Sequence, residues 1–368
     1  MTLWIDQPQA LARHLQDPPD RVGLDTEFVR ERTYWPQLAL VQIAVDDAIL
    51  LVDPLVPGMC EVLATLLDDA AVLKIMHSAS EDLVAFRHAC GTVPKPLFDT
   101  QIAASLSDLA VGMGYQKLVQ ELTGSVLPKG ETRSDWLRRP LSDAQLEYAA
   151  DDVRHLHVLH DTLQQRLVAQ QREAWVLDDA DRLAESARAD APEPWPHLGL
   201  RASQFLDART QARLLRLLRW RDGQARRSDR PRSWILDNEL ALQLAREAPA
   251  SEAALKKLLH RSPKAPRTLL GSLWAALATP LDDEAGMPLA RNSEADRRQL
   301  RRLQHSAAAL GKELGLPDGV LASRRWLEQL LLWPDQWPAG LEGWRKPLLQ
   351  ARLTRLLHQA DSAEPADV

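Results

Sequence analysis

The feature that most limits how this chain can fold is the run Arg21-Val22-Gly23-Leu24-Asp25-Thr26-Glu27-Phe28, an apolar stretch carrying two carboxylates one residue apart. In a strand, residues i and i+2 share a face about 6.6 to 6.8 Å apart, so Asp25 and Glu27 converge while Leu24 and Thr26 face away. Like charges at that spacing on a core-facing surface must either neutralise or find cations. A divalent metal meets that demand; an edge strand with a solvated acidic face meets it equally well on this stretch alone.

The surrounding pattern builds an α/β unit with a mixed sheet. Residues 37–45 and 48–53 are apolar, partly β-branched runs split by Asp46-Asp47, so with 22–28 they predict an antiparallel meander. A short amphipathic helix at 8–16 precedes it, and a helix at 59–68 leads to a further strand at 72–76. Residues 78–90 predict a helix opened by the Ser78/Glu81 capping-box spacing, with Asp82 in its first turn. Helices follow at 99–106 and 112–123, and the polar, aperiodic segment 127–136 reads as a mobile loop beside the site. Ser142 and Gln145 then cap a helix whose apolar spacing runs through Leu167 and on towards Ala189. Tyr148 and Asp152 share one of its faces at i, i+4, and Asp151 fits that face less well.

Three prolines in 191–196 stop regular structure. Helical patterns resume at 204–227, 238–247, 252–260 and 266–278, pause at 281–288, and return at 294–314, 319–332 and 347–359. The expected organisation is an α/β domain at 1–190, a linker at 191–202, small all-α domains at 203–280 and 289–360, and a disordered tail at 361–368. Charge follows the same division. Residues 1–200 hold 17 Lys and Arg against 31 Asp and Glu, and residues 201–270 hold 16 against 7. An acidic part that collects cations is thus joined to a basic part that collects polyanions, of which nucleic acid is the obvious one. The two cysteines show neither metal-ligand spacing nor a disulfide framework. No basic leader precedes an apolar run, and no uncharged stretch reaches membrane-span length, so a cytoplasmic location is expected.

Asp25, Glu27, Asp82 and Asp152 form an all-oxygen donor set, which suits Mg²⁺ or Mn²⁺ and argues against zinc. His-Glu-x-x-His, Walker and Gly-x-Ser-x-Gly patterns are absent from the sequence. Metals beside a basic domain fit phosphodiester hydrolysis by two ions about 3.5 to 4 Å apart. Tyr148 fits as the group that orients the attacking water, since a phenol with a pKa near 10 is a poor base at neutral pH.

Three segments together resemble the exonuclease motifs of the ribonuclease D family: Leu24-Asp-Thr-Glu-Phe-Val-Arg-Glu-Arg-Thr-Tyr-Trp-Pro-Gln-Leu-Ala-Leu-Val-Gln-Ile, His77-Ser-Ala-Ser-Glu-Asp-Leu83 and Glu147-Tyr-Ala-Ala-Asp-Asp-Val153. That family belongs to the tyrosine-containing branch of the DEDD 3′ to 5′ exonucleases. Residues 203–280 resemble the HRDC module of helicases and ribonuclease D. The resemblance implies a ribonuclease H-like exonuclease domain followed by two HRDC-type domains. It also implies two divalent ions held by Asp25, Glu27, Asp82 and Asp152, a water-orienting Tyr148, and trimming of RNA 3′ ends, notably of tRNA precursors, with release of 5′ mononucleotides. A monomer is expected.

Peripheral roles stay open between binding and packing. Thr26 and Phe28 flank the acids and could contact the terminal sugar and base, with plain core packing the rival for Phe28; His77 could touch the terminal nucleotide or be a satisfied structural histidine. Arg213, Arg216, Arg219, Arg226 and Arg227 could bind RNA phosphates or form solvated helix surface. Trp220, Trp234, Trp274 and Trp326 lie within helical patterns and read as core. The rival functions are DNA 3′ to 5′ hydrolysis and a catalytically silent RNA-binding adaptor.

Overall fold

A computed structural model describes residues 1–17, 19–128, 130, 134–291 and 293–358. The expected disordered tail, and four residues of the 127–136 loop, lie outside them.

The meander forms as the sequence predicts. Strand β1 is Thr2–Ile5, helix α1 Pro8–His14, and strands β2, β3 and β4 are Arg21–Val29, Gln37–Val45 and Ala48–Val52. Helix α2 (Met59–Asp68), β5 (Leu73–Met76), α3 (Ser80–Cys90), β6 (Leu97–Asp99), α4 (Thr100–Leu106) and α5 (Tyr115–Thr123) follow. The six strands make one mixed sheet in the order β1-β4-β3-β2-β5-β6, with β2–β3 and β3–β4 antiparallel and the other pairs parallel. Strands β1 and β6 escaped sequence reading because each is too short for an alternation to show, at four and three residues.

β2 is thus an inner strand, and the edge-strand reading of its acids falls. Its ladder with β3 is interrupted between Glu27 and Phe28, where Leu40 and Leu38 are the successive partners and Ala39 is left over. Such a bulge re-aims side chains at one end of a strand. Here the freed Ala39 carbonyl accepts from Arg139 Nη2 at 2.6 Å, and Arg139 also grips the Asp53 carboxylate with Nε and Nη2 at 2.8 and 2.7 Å.

The long helix expected from Ser142 towards Ala189 is instead three: α6 (Asp143–Arg154), α7 (Leu156–Ala169) and α8 (Glu173–Ala189). The capping box of Ser142 and Gln145 is present. The first break is spliced by Tyr115, whose hydroxyl donates to the Asp151 carbonyl at 3.0 Å and accepts from the His155 N–H at 3.2 Å. The second falls where Gln171 takes a left-handed φ of 57°. Neither break has a glycine or proline, so local sequence gave no signal for it. The capping box expected at Ser78 is not used either. Ser78 has φ 58°, and Asp99 instead accepts from the Ser78 and Ala79 N–H groups while also capping α4.

Beyond the linker, α9 (Ala208–Ser228), α10 (Arg232–Ile235), α11 (Asn238–Glu247), α12 (Glu252–His260) and α13 (Leu270–Ala278) enclose their own core around Leu214, Leu217, Leu244 and Leu273. Helices α14 (Glu294–Glu313), α15 (Arg324–Leu332) and α16 (Arg345–His358) bury Leu303, Leu330 and Leu353 in the same core as Leu106, Leu159 and Leu163 of the α/β unit. Trp220, Trp274 and Trp326 pack against these cores, as expected. Trp234 does not: it is 57% exposed, because Ile235 of the same short helix turns inward.

The basic module is fastened to the sheet through the β2–β3 loop. The N–H groups of Tyr34 and Trp35 both donate to Asp229 Oδ1, at 2.9 and 3.0 Å. The Tyr34 hydroxyl donates to Asp222 at 3.0 Å and accepts from Arg232 at 2.6 Å. Arg226 lies over both rings, 5.3 Å from Tyr34 and 5.1 Å from Trp35. Among the described residues, no helix is long and apolar enough to cross a membrane.

Candidate active site

Three of the four acids meet at one point. Asp25 and Glu27 leave the same face of β2, and Asp152 comes down from α6, so that one carboxylate oxygen of each lies within 4.8 Å of the others. The approach depends on Gly23. A Cβ there would stand 3.1 Å from Leu156 and 3.2 Å from Ala44, so the bare glycine lets the start of α7 settle on β2 two residues from Asp25. Asp151, next to Asp152, ion-pairs with Arg154 at 2.5 Å, while Asp152 is the one that joins Asp25 and Glu27.

Asp82, in the first turn of α3, stands outside that trio and is held by the Thr26 hydroxyl at 2.5 Å. Thr26 is thus engaged with an acid, and Phe28, half-buried, packs against the core that includes Leu83 and Phe86 of α3. Glu81, beside Asp82, pairs with Arg30 at 2.9 Å. Opposite Asp25 in the β2–β3 register is Gln42, fully buried, whose two amide atoms have no partner among the described residues. Directly opposed residues of an antiparallel pair project from the same face, so this amide lies beside the acids.

Burial and the mutual repulsion of the acids set the electrostatics of the pocket. Burial first, then the neighbouring acids, holds Asp25 well above the carboxylate range. Burial, with Asp152 and Asp82 next, pushes Glu27 up to about 8. Burial also carries Asp82 and Asp152 to about 7, against the opposing hydrogen bonds from Thr26 and Tyr148. The charges acting most strongly on Asp25 and Glu27 are all acidic. An oxygen-only, desolvated cluster of this kind fits hard divalent cations.

Tyr148 is bonded to Asp152, as its position one turn earlier predicts, and burial followed by Asp152 pushes its phenol further up from its ordinary value. It stays protonated near neutrality and acts as a donor. Its ring lies 6.0 Å from Trp136, and Gly130 passes so close that a Cβ there would stand 1.7 Å from the ring. His77 stands just behind: its Nδ1 is 2.9 Å from Thr100 Oγ1 and its ring meets Tyr115 edge-on at 5.6 Å, while burial lowers its pKa. Gly130, Tyr115, Gly23 and Gln42 were not singled out by sequence reading; only the fold reveals what each one touches.

Most of the arginines weighed as RNA contacts are spent inside the protein. Arg216 holds Glu284 with Nε and Nη2 at 2.6 and 2.5 Å, and Arg219 holds Asp283 at 2.8 and 2.9 Å together with the Pro194 carbonyl. Arg213 bonds the Ala245 carbonyl at 2.6 Å, and Arg226 bonds Asp222 and Asp190 at 3.0 and 3.2 Å. Acids of the 281–288 boundary and Asp190 at the end of α8, distant in sequence, fall opposite three of these guanidinium groups. Arg227 faces solvent.

The arrangement defines a class before it defines a protein. Residues 3–168 match the family described as 3′-5′ exonuclease and residues 210–276 match the HRDC domain, so this is a 3′ to 5′ exonuclease carrying an HRDC module. Ribonuclease D of Xanthomonas oryzae pv. oryzae is 57% identical over 98% of this chain and 100% of its own, and that of Pseudomonas paraeruginosa is 34% identical over 97% and 98%. The crystal structure of Escherichia coli RNase D, described as an exoribonuclease involved in structured RNA processing, matches with a TM-score of 0.83 at 30% identity, covering 98% of this chain and 99% of that one. The chain belongs to the ribonuclease D family. It is a metal-dependent 3′ to 5′ exoribonuclease.

Proposed function

We propose that this enzyme trims the 3′ ends of structured RNA such as tRNA precursors, releasing 5′ mononucleotides, as a cytoplasmic monomer with two Mg²⁺ or Mn²⁺ ions. The observation that carries this reading is the convergence of Asp25, Glu27 and Asp152 within 4.8 Å, with Tyr148 on Asp152 and Thr26 on Asp82. Asp25, Glu27, Asp82 and Asp152 would hold the ions. When bound, the ions supply an activated water and stabilise charge on the leaving 3′ oxygen. Thr26 fixes the Asp82 carboxylate, and the Tyr148 hydroxyl, a donor at neutral pH, orients the attacking water. His77, kept neutral by burial, stays with Thr100 as a wall of the pocket. Residues 1–190 serve as the exonuclease domain, 203–280 as its HRDC domain, and 289–360 as a second HRDC-like unit docked on the exonuclease core.

The test is digestion of a 5′-labelled, 3′-extended tRNA and a matched single-stranded DNA, with Mg²⁺ or Mn²⁺ and with EDTA. A metal-dependent ladder shortening from the 3′ end of the RNA alone is expected. Shortening of the DNA alone would make this a deoxyribonuclease, and retention of uncut RNA in both metals would make it an adaptor.

A further inference from the structure

One surface that catalysis leaves unexplained is that of α10. This helix of four residues is pinned on one side: Ile235 packs with Tyr34 and Ala225, and Arg232 bonds both the Tyr34 hydroxyl and Asp222. With Ile235 turned inward, Trp234 is left 57% exposed. Arg227 and Arg230, at the end of α9 and in the turn before α10, are exposed, as is Arg32 on the exonuclease loop that α10 touches. That loop runs directly from the end of β2, two residues beyond Glu27, and its Arg30 pairs with Glu81 beside Asp82. The exposed indole and the exposed arginines therefore belong to elements that meet where the HRDC module joins the loop leading out of β2.

We propose that Trp234, with Arg227, Arg230 and Arg32, forms a platform for single-stranded RNA, the indole stacking on one base of the strand that enters the pocket while the guanidinium groups hold its phosphates. An aromatic face accepts any base and arginines neutralise the backbone, so the platform binds without regard to sequence. It rests on the exoribonuclease reading for the direction of the strand, and its test is independent of turnover.

The experiment measures equilibrium binding of 12-nucleotide single-stranded RNAs to the full chain carrying Asp25→Asn, so that nothing is cut. The RNAs are one intact oligonucleotide and a series with a single abasic ribose at each position. Trp234→Ala should weaken the intact RNA at least about fivefold, the low end of base stacking on an aromatic, and leave the slope of log K against log salt unchanged. One or two abasic positions should weaken the Trp234 protein and have no further effect on Trp234→Ala, and Trp234→Phe should retain most of the affinity. Arg227→Gln and Arg230→Gln should each lower the salt slope by about 0.7. Unchanged affinity in Trp234→Ala, or abasic losses identical in both proteins, would overturn the platform. If the chain with Asp25 intact also leaves these RNAs uncut in Mg²⁺ and Mn²⁺ while the position-specific coupling is seen, the exonuclease reading fails and the platform stands.

Discussion

At the scale of single residues, the pocket stores repulsion that cations relieve. Removing one charge should therefore uncouple stability from activity: Asp25→Asn or Asp152→Asn should cut hydrolysis by about 10²-fold or more. The same substitutions should raise the melting temperature of the metal-free protein, as calorimetry in EDTA would show; a lower melting temperature would remove the repulsion argument. The pH dependence has a definite sign. Glu27, Asp82 and Asp152 are raised to about 8, 7 and 7 from ordinary values near 4, so the folded protein holds more protons than the unfolded chain. Metal-free stability from these groups is full below about pH 4 and is lost as pH rises through 7 to 8. Metal affinity should climb over the same upper window as protons leave, a change that titration calorimetry at pH 6 and pH 8.5 would detect. Tyr148→Phe should lower kcat with little change in KM, and Gly130→Ala should imitate it by displacing the ring, each by about 10². Normal kcat in Gly130→Ala would separate the loop from the ring. The pairings of Asp25 with Glu27 and of Tyr148 with Asp152 were legible in sequence because strand and helix periods fix which residues share a face, whereas no such period reaches Asp82, which the family resemblance joins to them. Gly130 and Gly23 were not, since a glycine's role here lies in what its missing Cβ would strike.

At the scale of elements, the site depends on how α6 and α7 sit on β2. Gly23→Ala should cost about 1–3 kcal/mol by overpacking against Leu156, and should also weaken metal binding as Asp152 shifts away from Asp25. Chemical denaturation together with metal titration would test both, and loss of stability with full metal affinity would show that α6 moves independently of α7. The meander and most helices could be read from periodicity and capping. The break at His155 could not, because its cause is a tyrosine hydroxyl forty residues away that satisfies both sides of the gap.

At the scale of the whole molecule, the HRDC module meets the sheet through the β2–β3 loop. Asp229→Ala would remove the acceptor of two N–H groups, so proteolysis within residues 191–202 should quicken and thermal unfolding should broaden towards two steps. Unchanged cleavage and a single sharp transition would mean that the loop contact does not hold the module. Segment charge correctly separated an acidic part from a basic one. It could not tell which arginines face solvent, since Arg216 and Arg219 meet Glu284 and Asp283 only once the chain is folded.

The grip of Arg139 on Asp53 and on the bulge carbonyl has an evolutionary consequence. It fixes the chain next to the sheet just before α6 begins, so changes in the stretch between α5 and Arg139 need not propagate into the metal cluster. Apart from Gly130 and Trp136, which lie against Tyr148, that stretch can change in length and polarity while the chemistry stays intact. Aligned relatives should accordingly differ in length there far more than in β2 or α6, and equal rigidity in all three would show that the stretch is under the same constraint as the acids.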